Sequence, residues 1–135
     1  MKLSDFSLQE PLDLPLDRVD AFLLDGKYVF RAPVSTAQTL RSVGIRKASR
    51  LSEEMAGQAL ALMRNPKTFG GEPARCFIPR HGLKFTCESK SWDILICFEC
   101  FWVYFFTESQ CIKASLSEAG VKALRKIFDD IFGPA

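Results

Sequence analysis

The residues of this chain whose types and spacing could do chemistry are its single histidine and four of its five cysteines. Cys97 and Cys100 have the two-residue gap of a zinc knuckle, and Cys76 and His81 would complete four donors of the kinds that zinc takes. Parity opposes this set. Along a continuous strand, residues three apart face opposite ways, so Cys97 and Cys100 share an ion only if the chain turns near Glu99. Such a turn is expected, because the run 92–106 exceeds the roughly five or six residues of an ordinary strand. A second Cys-x-x-C pair or a His pair, which would make a zinc signature specific, is missing. Cys76, Cys87, Cys97 and Cys100 read more simply as small buried hydrophobes, the usual place of an unreactive thiol.

Catalysis has less support. His81 is the only side chain whose ordinary pKa suits proton transfer near neutrality, and Cys76 with His81 would form a nucleophile and base. No third group to orient the pair is identifiable, and neither a nucleophile elbow nor a phosphate-binding glycine loop is present. Arg80 and His81 fall within Pro79-Arg80-His81-Gly82, whose simplest role is an exposed turn. A thioredoxin-like role for Cys97 and Cys100 would require a helix amino terminus in a βαβ setting, whereas this pair falls between two strands.

Charge carries more information. Residues 1–25 hold six acids against two bases, and residues 26–52 hold six bases and no acid. Within a monomer the two blocks can attract one another; alternatively, Lys27, Arg31, Arg41, Arg46, Lys47 and Arg50, joined by Arg80 and His81, meet an acidic protein partner. Nucleic acid fits poorly, because the net charge is only +2 and few aromatics interleave with the bases. The opening Met1–Ser7 lacks the apolar core of a secretory signal, and no apolar run reaches the roughly 18 residues that span a bilayer. An odd cysteine count argues against a closed disulfide framework. The expectation is a cytoplasmic protein with reduced thiols and no membrane span.

The elements that must position these residues follow from periodicity. With 135 residues, 47% of them hydrophobic, one domain is expected over 1–135, divided into a charge-segregated part (1–50) and a helix-sheet-helix core (51–132). Residues 19–24 and 27–31 around Asp25-Gly26 read as an amino-terminal β-hairpin. Residues 35–50 look irregular or weakly helical. Ser52 can cap a helix over about 51–64, and Ser115 with Glu118 has capping-box spacing for a second over about 116–132. Between them, residues 76–78 and 83–87 flank the Pro79–Gly82 turn, with Ile78 expected opposite Leu83 and Cys76 opposite Phe85. Strands at 92–98 and 101–106 complete an antiparallel meander, giving an α+β fold. The last two strands are apolar on both faces, so both need covering by the helices, by the amino-terminal hairpin, by another protein or by a second copy in a homodimer.

The run 74–83 (Ala-Arg-Cys-Phe-Ile-Pro-Arg-His-Gly-Leu), followed by 94–100 (Ile-Leu-Ile-Cys-Phe-Glu-Cys), resembles a signature of small bacterial proteins without an assigned activity. There a proline-histidine turn precedes an Ile-Cys-Phe-Glu-Cys strand. The resemblance covers roughly residues 50–132 and implies a bacterial α+β domain. By analogy with other small cytosolic bacterial proteins it implies an immunity protein that binds and neutralises a cognate toxin. The expected function is therefore a non-enzymatic protein-binding inhibitor with no cofactor. The alternative is a zinc-supported or Cys/His catalytic domain built on Cys76, His81, Cys97 and Cys100.

Overall fold

The computed structural model describes residues 17–28, 34–88, 90–107 and 110–134. Along the chain run β1 (Arg18–Leu24), β2 (Thr39–Leu40), β3 (Val43–Arg50), α1 (Glu53–Arg64) and a short 3-10 turn (Pro66–Thr68). β4 (His81–Cys87), β5 (Lys90–Cys97), β6 (Trp102–Phe106), β7 (Cys111–Ser115) and α2 (Glu118–Phe132) follow. The strands form one antiparallel sheet in the order β2-β3-β1-β4-β5-β6-β7. This is the α+β fold that the periodicity implies, with the meander of β4 to β6 extended by β7.

Strand alternation divides the core between two faces. One face carries Val19, Ala21, Leu83, Phe85, Ile94, Ile96, Val103 and Phe105, and both helices pack on it through Ala59, Met63, Leu124, Ile127 and Phe128. Burying a side chain of this size is worth about 1.5–3 kcal/mol. The other face carries Phe22, Leu24, Leu95, Cys97, Tyr104 and Phe106, and it is covered from within the chain by Tyr28, Leu40, Val43 and Phe77. Phe77 stacks on Tyr104 with ring centres 3.7 Å apart, and Tyr28 meets Phe77 edge-on at 5.1 Å. The doubly apolar strands thus find both covers without a second protein.

Several local expectations change. Residues 39–50 form β2, a tight turn and β3 rather than irregular or helical structure; Arg41 (φ 47) and Ser42 (φ 68) take the left-handed turn conformations. A strand with this many polar residues is held by its pairing with β1, which no alternation within β3 announces. β1 has β3 on one side and β4 on the other, so the antiparallel return strand of the amino-terminal region is 43–50. Residues 29–33, which include the expected partner strand, lie outside the described residues.

Ile78 does not pair with Leu83, nor Cys76 with Phe85. β4 begins at His81, and Ala21 takes the place opposite Leu83. The carbonyl of Arg80 accepts from the Leu24 amide (2.8 Å), which ties the Pro79–Gly82 segment to β1.

Both helices start at serine. Ser52 caps α1 as expected, accepting from the Met55 amide at 3.2 Å. For α2 the cap is Ser117, which accepts from Gly120 N (2.9 Å), while Ser115 ends β7 opposite Trp102. α2 also crosses the 3-10 turn so closely that a methyl group at Gly120 would collide with the Thr68 carbonyl. Among the described residues no helix is long and apolar enough to cross a membrane.

Candidate functional site

The six bases of 26–52 do not share one fate. Lys27 is exposed in the loop after β1, with its amide donating to Asp25 Oδ1 (2.9 Å). Arg31 lies outside the described residues. Arg41 is half-buried against the sheet: its Nε donates to Asp93 Oδ2 (2.9 Å), its Nη2 to Thr107 O (3.3 Å), and its guanidinium lies 5.1 Å from the Phe106 ring centre. Asp93 is only 2% exposed, accepts from Ser35 Oγ (2.7 Å) and has Lys84 Nζ 3.8 Å from its other oxygen. This pair, with its carboxylate buried and its guanidinium half-buried, fixes the turn between β2 and β3 onto the sheet. An acid within the apolar run 92–98, on the same face as Leu95 and Cys97, was the available sequence signal for such an anchor.

Arg46, Lys47 and Arg50 remain at the surface, all exposed on β3. The pairing with β1 sets Leu24 opposite Ile45 and Leu23 opposite Lys47, so Arg46 sits at a bulge that bends the strand. Among the described acids of the amino-terminal block, Asp20 pairs with Arg18 (2.6 Å), Asp25 accepts from the Lys27 amide, and Asp17 accepts from the Glu88 amide (2.5 Å). Arg50 donates to a backbone oxygen, that of Asp17 (3.4 Å), and lies opposite Asp20 across the β1 ladder, although the Asp20 carboxylate is taken by Arg18. Among the described residues, no carboxylate forms an ion pair with any of the three.

Arg80 and His81 lie elsewhere, at a hollow of about 30 Å³ that they line with Ile78, Phe98, Glu99 and Arg125. The His81 ring packs 4.7 Å from Phe98 and 4.8 Å from Phe128. That burial, reinforced by the positive charges of Arg125 and Arg80 and opposed by Asp129, pushes its pKa down to about 4. The imidazole is therefore neutral at pH 7 and braces α2 against the sheet rather than adding a cation to β3. Arg125, held 5.2 Å over Phe98, joins this cluster from α2, a contact that no sequence spacing announced.

The four proposed zinc donors do not converge. A turn at 98–101 does bring Cys97 and Cys100 together, but they are joined as a disulfide, with Cα atoms 5.4 Å apart. This corrects the expectation of reduced thiols for these two residues. Cys76 is exposed on the loop before β4, and His81 is packed among aromatic rings. Among the described residues no three His, Cys, Asp or Glu side chains lie close enough together to hold a metal. Cys97 and Cys100 are 2% and 1% exposed, so an attacking thiolate has little access to either sulfur, and the bond acts as a staple between β5 and β6.

Comparison with protein-family models, curated proteins and solved structures found no match.

Proposed function

We propose that this chain is a non-catalytic protein-binding domain that docks an acidic protein through the exposed cations of β3. It would be an inhibitor of the immunity type, whose partner is a toxin. One observation carries the proposal: Arg46, Lys47 and Arg50 stand exposed on one strand, and the described acids of the amino-terminal block are engaged elsewhere. Intramolecular neutralisation was the simpler account of the charge blocks; among the described residues the three acids of that block bond to groups other than these side chains, which supports the intermolecular one. Cations placed in this way steer an acidic partner to the surface and accelerate association, with a strong dependence on salt.

Nucleic acid is the less suitable partner, since no aromatic residue of β3 offers a base-stacking platform. The experiment is co-expression with the product of the adjoining gene, followed by native mass spectrometry and a growth-rescue assay. A stoichiometric complex that protects cells from that product supports the proposal. A chain that forms no complex with it and rescues no growth contradicts it.

A further inference from the structure

The two edges of β3 are in different states. The inner edge pairs with β1 from Ile45 to Arg50. On the outer edge β2 pairs only with Val43 and Gly44, and the Ile45 amide donates to Gln38 O (2.9 Å). From Arg46 onward, no strand among the described residues lies against that edge. The Leu51 amide donates inward to Val19 O (2.8 Å). Alternation along an antiparallel ladder then turns the amides of Ser49 and Lys47 inward and those of Ala48 and Arg50 outward. Ala48 stands in the middle of this open run with a small, exposed side chain.

An open row of amides and carbonyls is a template for another strand. A second copy of this chain is a poor occupant, because antiparallel self-pairing about Ala48 would set Arg46 of each copy opposite Arg50 of the other, with Lys47 close by. The same three cations favour a strand rich in carboxylates. Building on the docking surface proposed above, we infer that the outer edge of β3 accepts an extended acidic segment of the protein partner as an added antiparallel strand. Main-chain hydrogen bonds at Ala48 and Arg50 hold the segment, and Arg46, Lys47 and Arg50 select Asp and Glu side chains.

The test uses the full chain with a synthetic L-peptide of alternating Glu and Val and with its D-enantiomer, which has the same charge but the wrong hand for the ladder. Three results are expected: slowed amide exchange at Ala48 and Arg50 with the L-peptide, at least about tenfold weaker binding of the D-peptide, and a similar loss of L-peptide affinity in Ala48→Pro, which removes an outward N–H at an edge that tolerates proline. If Ala48→Pro does not fold, amide protection and the comparison of enantiomers decide. Equal binding of the two enantiomers, no protection at Ala48 and Arg50, or protection of those amides by dimerisation of the chain alone overturns the inference. None of these results touches charge-driven docking itself. That reading fails separately, if charge reversal at Arg46, Lys47 and Arg50 leaves affinity for the protein partner unchanged.

Discussion

At the scale of single residues, the chemistry-bearing side chains turn out to organise structure. His81 was legible as the lone titratable ring, but its fate depends on Phe98 and Phe128, which only the tertiary fold brings to it. With a folded pKa of about 4 against an ordinary 6.5, the unfolded chain takes up a proton between those values while the folded chain does not. Stability therefore falls as pH is lowered from about 6.5 to 4, by on the order of 2 kcal/mol after allowing for the ring's partial contact with water. The groups facing His81 are Arg80, Arg125 and Asp129. Urea melts of the parent and His81→Gln across this window isolate its share: the parent should show the steeper dependence, and parallel curves would contradict the assignment. Asp93 gives a second prediction. Asp93→Ala would remove the charged hydrogen bond that Arg41 Nε makes and should cost about 1.5–3 kcal/mol in a urea melt. The double variant Arg41→Ala with Asp93→Ala should recover part of that loss.

At the scale of elements, legibility followed periodicity. α2 shows it most plainly: the stripe of Leu116, Gly120, Ala123, Leu124, Ile127 and Ile131 was visible, and Gly120, Leu124 and Ile127 are buried. Its start was misplaced by two residues, because Ser115 and Ser117 both precede acceptable first turns and β7 claims Ser115. β3 was missed because its stability lies in pairing with β1, and the sequence of a polar strand does not say which neighbour it will have. Gly120 has a role that spacing alone could not reveal, the close crossing of α2 over the 3-10 turn. Gly120→Ala raises helix propensity by about 1 kcal/mol yet should lower stability by roughly 1–3 kcal/mol, since the new methyl meets backbone rather than a yielding side chain. A thermal melt showing net stabilisation would contradict the close approach.

At the scale of the whole molecule, the aromatic second half was correctly read as a packed sheet, but Cys76, expected to be buried, is exposed; the zinc alternative loses Cys97 and Cys100 to their disulfide and His81 to the aromatic packing. The pairing of Cys97 with Cys100 depends on the turn at 98–101, whose need was legible from the length of the run but whose geometry was not. Unfolding without reductant should expose three reactive thiols, and reduction should raise the number to five. Five thiols before reduction would contradict the staple. The charge blocks of the first 50 residues were also legible, but their partition was not: folding ties Arg41 to the buried Asp93 and leaves Arg46, Lys47 and Arg50 on the surface. The most direct test of that partition is the affinity of the Arg46→Glu, Lys47→Glu, Arg50→Glu variant for the product of the adjoining gene, measured by titration calorimetry at low salt. A loss of about a hundredfold or more, with an unchanged thermal melt, is the predicted result. Affinity within about twofold of the parent would contradict docking through β3.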